Sequence, residues 1–75
     1  MENKYLVELG AHVKKLREKK NISQSELARL TFKDRQSIHR FEKGKVNPSV
    51  IFLTEIAKAL EVPMKKLFDF EVEEE

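Results

Sequence analysis

Two helix-start signals eleven residues apart, Ser23 with Glu26 and then Asp34, constrain this chain more than any other feature. Ser23 and Glu26 have the spacing of a capping box. The hydroxyl accepts from the backbone N–H three residues on, and the carboxylate reaches back to the Ser N–H. Asp34 does the same capping work alone, its short carboxylate favouring the positive end of a helix dipole. The stretch SQSELARLTFKDRQSIHRFE, Ser23 to Glu42, therefore reads as two short helices joined by a tight turn. Leu27, Ala28 and Leu30 give the first an apolar face, and Ile38 and Phe41 give the second its buried side. Arg35, Gln36, Ser37, His39 and Arg40 are left outward, a set made almost wholly of hydrogen-bond donors and acceptors.

The flanking segments supply what such a pair must pack against. Tyr5, Leu6, Leu9, Val13 and Leu16 recur at the three-and-four spacing of an amphipathic helix over Tyr5 to Lys20. Arg17, Lys19 and Lys20 suit its C-terminal dipole, and Asn21 stands where a left-handed residue ends it. Gly10, inside this helix, costs about 1 kcal/mol relative to Ala and is acceptable if a neighbouring helix packs close. After Glu42, Gly44 is a left-handed helix stop and Pro48 forces the chain out of helical geometry. Ser49 caps a fourth helix with Val50, Leu53, Ile56, Ala57 and Leu60 inward. Pro63 opens a short fifth helix whose Leu67 and Phe68 close the core. The expected class is all-α, a compact five-helix domain over residues 1–68 followed by an acidic tail, 69–75, expected to be frayed.

Seventy-five residues without cysteine exclude a disulfide framework and a thiolate metal site, and point to a reducing, cytoplasmic setting. The two histidines, His12 and His39, have no Cys or carboxylate at ligand spacing, so no metal or other cofactor is expected. His12 reads as a surface residue. No run approaches a membrane span and the N-terminus lacks a signal pattern, so no membrane role is expected. The net charge of +2 conceals an asymmetry: the tail holds five of the 13 acids and no base, leaving 15 bases against eight acids before it. A basic body suggests a polyanionic partner. No Ser/His/Asp set, paired acids or phosphate-cradling Gly loop is present, so neither an enzyme nor a small-molecule substrate is indicated.

The runs LREKKNISQSELA (Leu16 to Ala28), SIHRFEKGKVNPS (Ser37 to Ser49) and IAKALEVP (Ile56 to Pro63) together make the chain resemble the Cro and phage-repressor type of helix-turn-helix protein, the XRE family. The resemblance covers residues 9 to 68, with the motif at 23–42, and implies a lambda-repressor-like fold that binds double-stranded DNA. It makes the helix after Asp34 the recognition helix, lying in the major groove with Arg35, Gln36 and Arg40 toward base edges. The chemistry agrees, since Arg pairs bidentately with guanine and Gln with adenine; the bland alternative is a solvated polar face. Ser37 and His39 sit beside this set, His39 within reach of a phosphate or sugar. Gln24 matches a position that touches the DNA backbone and supports the recognition helix, or else is an ordinary first-turn residue. Lys43, Lys45, Asn47 and Ser49 surround a loop and helix start that similar proteins aim at phosphates. Arg17 and Glu42 match a buried or half-buried ion pair, a structural role.

Phe32 and Lys33 depart from the family pattern, in which a small residue or Gly precedes an apolar one. Either Phe32 folds into the core from the shifted position or the turn changes path. The resemblance implies a transcriptional regulator, a repressor or autoregulator acting as a homodimer on a palindromic operator. The alternative is a module for protein contact with the transcription machinery. Ile51, Phe52, Met64 and Phe70, outside the inward stripes, are the expected self-association patch.

Overall fold

The computed structural model describes residues 2–73. Four α-helices, α1 (Lys4–Lys19), α2 (Gln24–Leu30), α3 (Arg35–Glu42) and α4 (Val50–Leu60), are followed by a 3-10 turn, Met64–Phe68. The fifth element is thus not an α-helix. It has no side-chain cap, and five residues after Pro63 are too few to build a stable α-helix of their own. Each α-helix starts on a short polar side chain. Asn3 Oδ1 accepts from the Tyr5 and Leu6 N–H groups, so α1 begins one residue earlier than its apolar pattern indicates. Ser23 Oγ accepts from Glu26 N at 3.0 Å, Asp34 Oδ1 from Ser37 N at 2.7 Å and Ser49 Oγ from Phe52 N at 3.0 Å. The capping box is only half made: the Glu26 carboxylate turns away from Ser23 to an ion pair with Arg29 at 2.6 Å.

All four helices stop by the same hydrogen-bond pattern around one left-handed residue, respectively Asn21 (φ 59), Phe32 (φ 58), Gly44 (φ 73) and Glu61 (φ 56). After α1, Asn21 N donates to Glu18 O and Ile22 N to Arg17 O; after α2, Phe32 N donates to Arg29 O and Lys33 N to Ala28 O. Only Gly44 adopts this geometry without a Cβ penalty, and it is also sterically required. A Cβ there lies 2.6 Å from Val7 Cα. Gly10 plays the matching part on α1, where a Cβ lies 2.7 Å from the Glu42 carbonyl oxygen and collides with that of Phe41. The backbones of α1 and α3 therefore touch at Gly10, and this contact sets how α3 is presented.

The core joins Leu9, Val13 and Leu16 of α1, Leu27 and Ala28 of α2, Ile38 and Phe41 of α3, five residues of α4 and Leu67. Several expected assignments change. On α4 it is Phe52 that is buried, edge-to-face on Phe41 with ring centroids 5.4 Å apart, while Val50 is 69% exposed. Phe52 is consequently unavailable for self-association, and Met64 and Phe70 are partly buried against the core. Tyr5, Leu30 and Phe68 are exposed, not inward. Phe32 does not fold back: it is 87% exposed, and the buried position in the turn is taken by Thr31, whose hydroxyl donates to Leu27 O at 2.8 Å. Lys33, standing where an apolar anchor is usual, places its ammonium 5.4 Å from the centre of the Phe52 ring.

His12 lies at the surface but is half-buried there. Its Nε2 lies 2.8 Å from Lys66 O and its ring 5.7 Å from that of Phe70, which ties the end of the chain to α1. The tail from Asp69 to Glu73 is accordingly packed along α1 and not frayed; its last two acids lie outside the described residues. No helix among the described residues is long and apolar enough to cross a membrane.

Candidate nucleic-acid interface

The position of α3 is fixed by one buried constellation. Arg17, in the last turn of α1, donates from Nε to Glu42 Oε2 at 2.7 Å and from Nη2 to Oε1 at 3.1 Å, and its Nη1 donates to Ile22 O at 2.7 Å. Gln24, the first residue of α2, donates from Nε2 to Glu42 Oε1 at 2.9 Å. The Arg17 and Glu42 side chains are almost completely removed from water. A bidentate guanidinium with its remaining donors placed is the geometry in which a buried pair holds together. Three helices meet at Glu42, so the outward face of α3 is rigid relative to α1 and α2.

With Ile38, Phe41 and Glu42 turned inward, the rest of α3 forms an exposed ridge between two grooves. Toward α1, Arg35, His39 and Lys43 recur every fourth residue and line a cleft with Gln24, Lys14 and Lys15, and with the acidic residues Glu2 and Glu18. Toward α4, Ser37 and Arg40 line a groove with Lys33, Asn47 and Ser49. Gln36 lies exposed in the first turn of the ridge. Lys45 stands in a third, shallow groove beyond Gly44, beside Asn3 and Asn47. The ten residues expected to meet DNA are thus distributed along one helix and its two flanks.

Local chemistry occupies some of these groups. The Ser49 hydroxyl caps α4, so its oxygen already accepts one bond. The Asp34 carboxyl is held below the usual carboxylate range, first by the Ser37 backbone N–H, then by the Ser37 side chain, with a smaller contribution from Lys33. The Gln24 amide faces inward to Glu42, and the same Nε2 lies 3.4 Å from His39 Nδ1, so Gln24 links the buried pair to the ridge. Three basic residues join the site beyond those expected from sequence: Lys14, Lys15 and Lys33. A signal for Lys14 was available, since it stands one helical turn beyond Gly10, the point of close approach to α3. Among the described residues no group of three or more His, Cys, Asp or Glu side chains is placed to hold a metal ion.

Comparison with known proteins identifies the family and the fold. Residues 13–67 match the helix-turn-helix family. An "uncharacterized HTH-type transcriptional regulator" of Archaeoglobus fulgidus is 37% identical over 66 residues, covering 88% of this chain and 93% of that protein. A protein of Methanococcus vannielii, named for HTH-type transcriptional regulation, is 39% identical over 57 residues, 76% of this chain; the match spans only 17% of that longer relative. The crystal structure of the restriction-modification controller protein C.AhdI from Aeromonas hydrophila superposes with a TM-score of 0.82 at 35% identity, covering 84% of this chain and 91% of that one. On fold, motif and relatives alike, this chain belongs to the XRE-type helix-turn-helix family, which includes transcriptional regulators.

Proposed function

We propose that the chain is a sequence-specific DNA-binding transcriptional regulator, a repressor or autoregulator that binds a palindromic operator as a homodimer. The observation that carries this reading is the α3 ridge. Arg35, Gln36 and Arg40 stand exposed on a helix locked in place by Glu42, with basic residues on both flanks. Arg and Gln supply the bidentate donor and acceptor geometry that distinguishes guanine and adenine in the major groove. Gln24, His39, Lys43, Lys45, Asn47 and Ser49, with Lys14 and Lys33, are assigned to phosphate and sugar contacts that position the ridge. Similarity to a restriction-modification controller protein supports a control function of this kind.

The decisive experiment is selection of preferred duplexes from a random pool, followed by affinity measurement across a salt series. An enriched sequence with two related half-sites spaced by about one duplex turn, 34 Å, or a multiple of it, is the expected result. Failure to enrich any sequence would remove the specific-regulator reading. The competing reading, a module for protein contact with the transcription machinery, draws its support from Phe32, Val50 and Ile51, three large apolar residues left exposed on so small a body. It takes precedence if the wild type binds no duplex at all.

A further inference from the structure

The segment after the 3-10 turn runs back along α1 toward its N-terminus. Phe70 is its anchor, partly buried against the core and ring to ring with His12. Three residues later the Lys4 ammonium donates to the Glu73 carbonyl oxygen at 3.5 Å. Between these points Glu71 and Glu73 wall a groove whose opposite wall is the first two turns of α1. Val7 belongs to that wall and equally to the cleft beside α3 that holds Lys14, Lys15, Arg35 and Lys43, and its backbone is the surface against which Gly44 packs. The tail thus adds the carboxylates of Glu71 and Glu73 to those of Glu2 and Glu8 at the end of α1 that abuts the loop carrying Lys43 and Lys45.

We infer that this tail is a built-in electrostatic brake on DNA binding. Held on α1 by Phe70, its carboxylates lower the positive potential at the α1 edge of the recognition face, and a phosphate approaching there meets like charge. The sequence gives the device its strength: no base interrupts the acids from Asp69 to the end of the chain. The anchor makes it a specific contact and not merely a contribution to net charge, because an extended tail freed from α1 would carry most of its charge away from the cleft. The inference rests on the DNA-binding reading and adds regulation to it. Weakening the anchor or neutralising the tail releases the brake without touching any residue of the recognition face.

The test compares duplex affinity at low salt for the wild type, E71Q/E73Q, Phe70→Ala and E55Q/E61Q. The last removes the same charge from α4, away from the tail groove. E71Q/E73Q is expected to tighten binding by about threefold to tenfold, as two like charges acting through a largely aqueous path would give. Phe70→Ala should also tighten it although no charge is lost, and E55Q/E61Q should change it less than either. The gain should fade with added salt, since the screening length shrinks to about 10 Å at 0.1 M. Equal gains from the tail and α4 variants would reduce the effect to net charge and overturn the inference. No gain from E71Q/E73Q would overturn it as well, which covers the case in which Phe70→Ala fails to fold. If none of the four proteins binds duplex, the DNA-binding reading itself falls, and the brake with it.

Discussion

Phe32 is the residue at which local preference and tertiary structure disagree most. A bulky side chain in the left-handed region costs about 1–2 kcal/mol, and an 87% exposed ring recovers almost nothing by burial. What holds it there is the bond from Lys33 N to Ala28 O at 2.9 Å, together with Thr31 filling the interior below. Phe32→Gly is therefore expected to raise the melting temperature by a few degrees, the strain relieved exceeding the added freedom of the unfolded chain. An unchanged or lower melting temperature would mean that the ring makes a stabilising contact of its own. Arg17 is the opposite case. Arg17→Ala strands the Glu42 carboxylate inside the protein and should cost about 3–5 kcal/mol, a large part of what a small domain possesses. Lys45→Ala, on an exposed loop residue, should leave the melting temperature within a degree or two of wild type.

Asp34 links one carboxyl to the start of α3. Its pKa is depressed in the folded state, so the cap's contribution is fully present above the ordinary carboxylate value and is lost as pH falls through the lower folded value. The stability difference between wild type and Asp34→Ala should be flat above about pH 5 and shrink toward zero in stronger acid. A difference that does not change on acidification would mean that the carboxylate is not the cap. The proposed reading and anchoring roles fall on different surfaces, Arg40 on α3 and Lys45 in the groove beyond Gly44. Arg40→Ala should cost about 1–3 kcal/mol on the preferred duplex and flatten selectivity at one or two base pairs. Lys45→Ala should weaken all duplexes alike and reduce the slope of log affinity against log salt by about one unit. If the ratio between preferred and scrambled duplexes survives Arg40→Ala, the helix does not read sequence through this residue.

At the scale of elements, the contact between α1 and α3 is decided by a single missing methyl. Alanine is the better helix former by about 1 kcal/mol, yet a Cβ at position 10 falls 2.7 Å from the Glu42 carbonyl oxygen, a backbone atom that cannot step aside. Overpacking typically costs about 1–3 kcal/mol, so Gly10→Ala should lower stability despite its propensity. By tilting α3 it should weaken duplex binding as well. The same elements show which parts of the fold were readable from sequence. Ser23, Asp34 and Ser49 were recognisable as starts, and Asn21 and Gly44 as stops, because capping chemistry depends on residues only a few positions apart. The burial of α4 was readable from Leu53 onward, since Leu53, Ile56, Ala57 and Leu60 are all buried as their spacing indicates, but not in its first turn. Its first turn offers Val50, Ile51, Phe52 and Leu53 in succession, and periodicity cannot choose the inward pair among four adjacent apolar residues. Only the edge of Phe52 against Phe41 settles the rotation. The left-handed Phe32 and Glu61 were hidden for another reason: long-range packing overrides an intrinsic preference that a sequence displays and a fold need not obey. Lys14 carries only the indirect signal of standing one turn beyond Gly10, because its place depends on where two helices cross.

For the whole molecule, size limits the means available. Among the described residues, thirteen buried apolar side chains, a buried ion pair and four capped helices hold together a chain that has no cysteine to form a disulfide. The proposed homodimer has to use what this core leaves outside. Val50 and Ile51, both about 70% exposed and adjacent at the start of α4, are the part of the exposed apolar surface assigned to it. A double substitution to Ser should shift sedimentation from dimer toward monomer and weaken binding to a two-half-site duplex more than to a single half-site. A monomer at high micromolar concentration with and without DNA would exclude self-association.

The segregation of α3 into an inward set and an outward set also bears on how such a protein diversifies. Ile38, Phe41 and Glu42 carry its attachment to the body, whereas Arg35, Gln36 and Arg40 carry no contact on which folding depends. Substitutions at the outward positions should therefore leave the melting temperature nearly unchanged and, under the proposed function, alter the preferred duplex. If the proposed function holds, one stable body could be redirected to new DNA addresses by a handful of codon changes, because the residues that face outward are not those that hold α3 in place.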